Sequence, residues 1–316
     1  MRLGFAVKIL GREGLKSHDA RRHANNPHLK NSIEFAHATF DYLAEVKISM
    51  YRFSSDFAPY LTHPDMPQFH HQIEESRGEL EALGKRAREM NLRLSFHPSQ
   101  YIILNSPSDK LTETSTRDFL AQAEMLDAME QPAEAVIVTH VGGVYGDKEA
   151  SMARFVEHFH ALPEPAKRRL VLENDDKSYT CADVLKIHEQ TGIRCIFDHQ
   201  HHNCINSEGW SPEAACAAIL ATWPDDCRPK IHFSSPRIED REIKRLDKET
   251  GKKVAFKATA LATQHADFID ADTFIPFARE TQKTREFDVM CEAKSKDLAV
   301  LRLREALEEA GGFVME

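Results

Sequence analysis

The sequence predicts an α/β protein built as a single closed (β/α)8 TIM barrel, and three observations carry that expectation. Short apolar runs alternate with amphipathic helical stretches from one end of the chain to the other. Eight such runs can be counted. No Gly-x-Gly-x-x-Gly follows the first of them, which weakens the competing open, doubly wound sheet. Strands that alternate with helices build right-handed βαβ units and a parallel sheet. Eight units close into a barrel whose active site lies at the C-terminal ends of the strands.

Taken in order, strands are expected at 3–7, 48–53, 93–96, 135–139, 169–172, 194–197, 230–233 and 287–291. Helical periodicity places helices at 32–46, 69–90, 115–129, 148–161, 181–190, 212–222, 272–282 and 298–310. Two regions exceed a minimal barrel. Residues 10–31 are polar and basic, and residues 236–262 form a charged rim insertion after the seventh strand. Within it, 237–257 holds eight Lys and Arg against five Asp and Glu. A solvated loop and a phosphate-facing role both remain open for it. The whole chain, 1–316, is expected to be one domain.

Of 316 residues, 41% are hydrophobic and 29% charged, the composition of a soluble globular protein. No apolar run approaches the roughly 18 residues of a membrane span, and the first residues do not read as a signal peptide. A cytoplasmic protein without a membrane partner is expected. Cys181, Cys195, Cys204, Cys216, Cys227 and Cys291 are scattered, with no Cys-x-x-Cys pair, so reduced thiols are expected rather than a zinc ribbon or disulfides. A net charge of −9 argues against a plain basic nucleic-acid footprint. The 17 histidines raise a metal site as the alternative meaning of so many acids.

The residues that follow the strands decide between these readings. The third run leads into Phe96-His97-Pro98, the fourth into Thr139-His140-Val141 and the fifth into Leu172-Glu173-Asn174. The sixth leads into Phe197-Asp198-His199-Gln200-His201, the seventh holds Ile231-His232-Phe233, and the eighth leads into Cys291-Glu292-Ala293. Any one of these alone reads as a hydrogen-bonded structural side chain or a helix cap. In a barrel all six meet at one mouth. Three carboxylates and three imidazoles buried together are costly unless cations compensate them. Ligands of this kind without cysteine suit zinc or manganese and do not choose between them. Two or three such ions about 3.5–4 Å apart are the usual apparatus of phosphodiester hydrolysis. Lys230, two residues before His232, shares its face of the strand. Metals there would depress its pKa, leaving a neutral amine or a carbamate formed with carbon dioxide. The competing reading places Lys230 a layer lower, paired with Glu292.

Longer segments add to these. They include Leu29-Lys30-Asn31-Ser32, Tyr51-Arg52-Phe53-Ser54-Ser55, Thr62-His63-Pro64-Asp65 and Phe96-His97-Pro98-Ser99-Gln100-Tyr101. Further on come Leu172-Glu173-Asn174-Asp175-Asp176-Lys177, His232-Phe233-Ser234-Ser235-Pro236, His265-Ala266-Asp267-Phe268 and Glu292-Ala293-Lys294-Ser295-Lys296. Across nearly the whole chain this pattern resembles the ultraviolet damage endonuclease family, relatives of the endonuclease IV-type apurinic endonucleases and of xylose isomerase-like barrels. The resemblance implies a metal-dependent endonuclease that nicks damaged double-stranded DNA immediately 5′ to ultraviolet photoproducts, cyclobutane dimers and 6-4 photoproducts, leaving a 3′-hydroxyl and a 5′-phosphate.

By that resemblance the metal ligands are His97, His140, Glu173, Asp198, His201, His232, His265 and Glu292. Glu173 would bridge two ions, His97 and His140 would serve one, and Asp198, His232 and Glu292 the second. His201 and His265 would attend a third. Two or three divalent ions are implied, manganese ahead of zinc. Glu173, Lys230 and His232 are the implied catalytic residues. Gln100 and Tyr101 resemble the family's DNA-binding probe, which fills the gap opposite displaced bases; the competing reading packs Tyr101 on Ile102 or Ile103. Arg12, Lys16, Arg21, Arg22, Lys30, Arg237, Lys244, Lys294 and Lys296 lie in rim loops where phosphates could pass. No obligate protein partner is evident. The chain departs from the family pattern with Gln200 in place of a histidine and with its longer insertion before His265. The alternative function is a sugar isomerase of the same barrel superfamily, which has no evident use for Gln100, Tyr101 or a third metal.

Overall fold

The computed structural model describes residues 1–247 and 250–316, without the side chains of 241 and 243–245. Its strands are β1 (Leu3–Ala6), β2 (Met50–Arg52), β3 (Arg93–Phe96), β4 (Val136–His140), β5 (Leu170–Glu173), β6 (Arg194–Ile196), β7 (Lys230–Phe233), β8 (Arg241–Leu246), β9 (Lys253–Ala258) and β10 (Asp288–Cys291). Eight of them are parallel, in the order β6-β5-β4-β3-β2-β1-β10-β7. The ends of that order meet. Asp198 bridges His232 in parallel fashion, and the His232 N–H donates to the Phe197 carbonyl at 2.9 Å, which draws the sheet into a barrel.

Two apolar layers follow from the alternation of side chains. Phe5, Tyr51, Phe53, Leu94, Phe96, Ile137, Leu172, Ile231 and Phe233 point outward into the main core, under the helices. Val136, Val138, Val171 and Ile196 form a separate small core inside the barrel, above Trp223. The parity that sends Leu94 and Phe96 outward turns Arg93, Ser95 and His97 inward. Close strand packing also excludes a side chain at position 4: a Cβ on Gly4 would stand 2.5 Å from the Met50 carbonyl oxygen.

The floor of the barrel is an ion pair. Arg93 Nη1 lies 2.8 Å from Asp288 Oδ2, both side chains fully buried. The Arg2 N–H donates to Asp288 Oδ1 at 2.8 Å and its guanidinium lies 3.2 Å from Oδ2. Burial alone would raise the Asp288 carboxyl; Arg93 and Arg2 outweigh it and hold it below the usual aspartate range.

All eight expected barrel strands are present, shifted by at most two residues at an end. The helix expected over 69–90 is broken into Pro67–Phe69, Gln72–Glu75 and Arg77–Glu89. Gln72 explains the break. Its buried amide accepts from the Leu29 N–H at 2.7 Å and donates to the Pro59 and Phe69 carbonyls at 2.7 and 2.9 Å, pinning this turn to the start of helix Leu29–Glu45. The insertion 236–262 is not a simple loop: β8 and β9 pair antiparallel from Arg241↔Ala258 to Leu246↔Lys253, with 248–249 outside the described residues. Short helices at Glu164–Arg169 and His199–Cys204 were not expected.

Replacing Asp288 with Asn should strand Arg93 in the barrel floor. Breaking a buried pair typically costs roughly 3–5 kcal/mol, readable by urea denaturation at neutral pH. Because the folded-state carboxyl is depressed, the wild-type advantage is complete above the unfolded aspartate value, roughly 4, and should shrink as the pH falls below it.

Candidate metal centre

Six strand ends deliver the expected side chains to one place. Glu173 at the end of β5 is almost fully buried. Its Oε2 lies 3.4 Å from His97 Nε2 and 3.6 Å from His140 Nε2. Its Oε1 lies 2.9 Å from His232 Nδ1 and 3.5 Å from His201 Nδ1. Glu292 Oε1 lies 3.4 Å from His232 Nδ1, and Glu292 Oε2 4.0 Å from His265 Nδ1. Asp198 caps helix His199–Cys204 by accepting from the His201 N–H at 2.7 Å, so one short turn positions both side chains. His265 is brought to the rim by its antiparallel bridge to Pro236.

The donor chemistry fits divalent cations. Two sets place one ligand atom each within 4.8 Å of one another: His97, His140 and Glu173, then Glu173, Asp198 and His232. Glu173 belongs to both, as a bridging carboxylate would. Two atoms bonded to one ion at about 2.0–2.2 Å in tetrahedral geometry stand about 3.3–3.6 Å apart, close to the observed spacings of 3.4 and 3.6 Å. His140 Nδ1, Glu173 Oε2, Asp198 Oδ2 and His232 Nε2 are buried without a hydrogen-bond partner, an arrangement disfavoured unless something else satisfies them. The outer contacts fix tautomers. His97 Nδ1 faces the Pro98 carbonyl at 3.1 Å and His201 Nδ1 the Asn174 carbonyl at 2.9 Å, so each ring can keep its Nε2 lone pair for a ligand.

The electrostatics agree. Burial lowers the His97 imidazole to about 4, so it stays neutral and able to ligate. Burial would also lower His201, but Asp198, Glu173 and Glu292 raise it to about 9: without a metal, this cluster draws a proton to balance its carboxylates. Arg52 supplies one fixed cation, 2.5 Å from Glu292 Oε1. Burial opposes ionisation of Glu292, yet Arg52 and His232 hold it well below the usual carboxylate range. Arg52 went unread in the sequence. The signal was there, since an arginine between Tyr51 and Phe53, both outward, must face the barrel interior.

Lys230 is fully buried and its Nζ has no hydrogen-bond partner. Burial first, then Arg93 and Arg52, bring the amine well below the ordinary lysine range. The alternative pairing with Glu292 is not formed; Arg52 holds that carboxylate instead. Gln200 is structural here. Its Nε2 donates to the Ala262 carbonyl at 2.6 Å and the Gln264 carbonyl at 3.3 Å, and its Oε1 accepts from the Ser234 hydroxyl at 2.5 Å. That latch fastens the chain just before His265. On the loop after His97, Gln100 and Tyr101 stand in solvent. Tyr101 is 74% exposed, not packed away on Ile102 or Ile103. Beside this loop a cavity of about 520 Å³ opens against Tyr60, Ser99, Ile102 and Asp118, and none of the eight ligand candidates lines it. Among the rim cations, Arg12, Arg21 and Lys30 are engaged with Glu45, Asp19 and Glu79, and the Lys244 side chain lies outside the described residues.

Comparison with known proteins is consistent along the chain. The family described as UV-endonuclease UvdE matches residues 16–314. The chain belongs to this family. A UV DNA damage endonuclease of Bacillus velezensis (strain DSM 23117 / BGSC 10A6 / LMG 26770 / FZB42) is 34% identical over 296 residues, 93% of this chain and 84% of that protein. One from Bacillus pumilus (strain SAFR-032) is 35% identical over 84% of this chain and 77% of its own. The crystal structure of SacUVDE superposes with a TM-score of 0.81 at 29% identity, covering 98% of this UV-endonuclease chain and 99% of the other. A D-psicose 3-epimerase matches at TM-score 0.57 and 14% identity over 98% of both chains, a likeness of fold that agrees with the eight-stranded parallel barrel. No helix of the described residues is long and apolar enough to cross a membrane.

Glu173→Gln should fold, with the circular dichroism of the wild type, while losing at least half of its bound divalent metal by elemental analysis. Full metal content in the folded variant would overturn the bridging assignment.

Proposed function

We propose that this chain is a metal-dependent DNA repair endonuclease that nicks duplex DNA immediately 5′ to cyclobutane dimers and 6-4 photoproducts, leaving a 3′-hydroxyl and a 5′-phosphate. The observation that carries the reading is the Glu173-centred cluster, its buried donor atoms unsatisfied, opening on the same rim as the exposed Gln100 and Tyr101. The names of its relatives support the same activity. Residues 1–316 act as one barrel domain with the 236–262 rim insertion.

His97 and His140 would hold one cation, Asp198, His232 and Glu292 a second, with Glu173 shared and His201 and His265 attending a third. The family resemblance puts manganese ahead of zinc, and a donor set of imidazole and carboxylate without cysteine accommodates either. When bound, such ions activate water and stabilise charge on the phosphodiester. The chain's own residues do the rest. Arg52 anchors Glu292 so that its second oxygen stays turned toward the mouth. A cross-linked dinucleotide has to leave the stack, at a cost that is lower where stacking is already damaged. Tyr101 offers a stacking face and Gln100 an amide to the space it vacates. Lys230, buried without a partner one layer below His232, is suited to carbamate formation: the amine nitrogen adds to carbon dioxide and releases a proton, giving an anion that can join the metal ligands. The sugar-isomerase alternative rests on the shared barrel and leaves the exposed Gln100–Tyr101 loop unused.

The deciding experiment is incision of a 5′-labelled duplex carrying one photoproduct, beside undamaged duplex, abasic duplex and ketose substrates. A single cut directly 5′ to the lesion is expected; turnover of sugar alone would overturn the reading. Replacing Gln100 and Tyr101 together with Ala should weaken binding to damaged duplex by roughly 1–3 kcal/mol and leave undamaged duplex nearly unaffected, with metal content unchanged. Equal losses on both would make them ordinary backbone contacts. Lys230→Arg, which cannot form a carbamate, should load less metal than wild type, and labelled bicarbonate should give a carbamate carbon resonance in the wild type alone.

A further inference from the structure

We propose that the β8–β9 hairpin is a second DNA-binding element, a basic ribbon that holds one arm of the duplex away from the lesion. This rests on the endonuclease reading above and adds to it a contact that the metal centre and the Gln100–Tyr101 loop do not supply.

Four observations converge. First, the hairpin stands on the mouth. Pro236 bridges His265, the Arg237 N–H donates to the Gln264 carbonyl at 2.7 Å, and Gln200 fastens Ala262 from the side at 2.6 Å. DNA seated on the metal centre would therefore pass its base. Second, the ribbon is self-contained. The ladder runs through six residue pairs, and the connection closes on Asp247, which accepts from the Thr250 N–H and hydroxyl at 2.7 and 2.8 Å, with Gly251 at φ +65°. At about 3.3 Å per residue such strands reach roughly 20 Å. A two-stranded ribbon is also a shape that the major groove admits.

Third, its charge opposes that of the rest of the chain. Residues 237–257 hold eight Lys and Arg against five Asp and Glu in a protein of net charge −9. Lys252 and Lys253 at the tip are exposed, and Lys257 contacts Asp240 at 3.2 Å. Fourth, apolar side chains of the segment stand in solvent. Of the eleven exposed large apolar side chains among the described residues, five lie between 238 and 261: Ile238, Leu246, Val254, Phe256 and Leu261. Val254 and Phe256 are two apart on one strand and so share a face; they are 52% and 51% exposed. Lysines beside apolar side chains on one projecting ribbon match a duplex, whose phosphates take the cations and whose groove edges take the rest. Contact through phosphates is independent of sequence, as an enzyme that meets damage anywhere requires.

The test compares wild type with Lys252→Glu/Lys253→Glu and with Phe256→Ala, in fluorescence anisotropy across a salt series. Two lesion duplexes are used, one with long arms and one ending a few base pairs from the lesion. Wild type should prefer the long duplex. The double variant should lose roughly tenfold or more in affinity for it, and the slope of log affinity against log salt should flatten by about 2, with the damaged-to-undamaged ratio unchanged. Phe256→Ala should weaken binding without changing the slope. Unaltered affinity and slope in the double variant would overturn the proposal. So would sedimentation showing a wild-type dimer that Phe256→Ala abolishes, which would assign the ribbon to a second copy of the chain. Incision by the wild type, run in parallel, separates the two readings: a cut lesion with an indifferent hairpin defeats only this inference, and no cut at all defeats the function beneath it.

Discussion

One buried carboxylate faces four imidazoles. Glu173 lies 2.9 Å from His232, 3.4 Å from His97, 3.5 Å from His201 and 3.6 Å from His140, and every other feature of the mouth is arranged around it. Those imidazoles come from β4, β7, the residue after β3 and one short helix, so their meeting depends on strand register. His140 pairs directly with Glu173 across β4 and β5, Met290 with His232 across β10 and β7, and Asp198 with His232 where the barrel closes. A slip of one residue in any of these would turn a ligand toward the helices. Barrel closure and ligand geometry are thus the same constraint.

Beneath the mouth the barrel is layered by polarity. Floor charges are matched within the floor, Asp288 against Arg93 and Arg2. Valines 136, 138 and 171 and Ile196 fill the middle. The upper layer carries more carboxylate than the fixed cation Arg52 can balance, and His140 Nδ1, Glu173 Oε2, Asp198 Oδ2 and His232 Nε2 are buried there without a hydrogen-bond partner. Excess negative charge and unsatisfied atoms coincide there, where a divalent ion would relieve both. Lys230, one layer below His232, belongs to neither ion-pair set, and its buried amine has no hydrogen-bond partner.

The barrel and most of its mouth were legible because both rest on period-two patterning: inward and outward positions alternate, and polar residues at strand ends stand out against apolar runs. Most of what escaped reading had no such signal. The helix His199–Cys204 is six residues long, too short to show a period, yet it aims His201. Gln72 breaks a helix through bonds to Leu29 and Pro59, residues distant in sequence. Gln200, a departure from the family pattern in place of a histidine, is a latch, because a side-chain amide satisfies two carbonyls and a hydroxyl where an imidazole has fewer atoms to offer. Arg52 was readable and overlooked. The hairpin was hidden by charge, which dominates its composition and masks the alternation in β8 and β9.

The β-bridge that pairs Pro236 with His265, made by the Arg237 N–H to the Gln264 carbonyl and the Ala266 N–H to the Ser235 carbonyl, also has a polymer consequence. It closes the insertion into a ring at its base, so the number of residues inside the ring has little bearing on where His265 stands. Ring closure becomes only slowly more expensive with length, by about 0.6 kcal/mol for each doubling, and a ribbon that pairs with itself repays much of that internally. The segment can therefore be lengthened, shortened or recomposed while the mouth around Glu173 drifts very little. Ribbon length and mouth geometry become separate degrees of freedom on one chain.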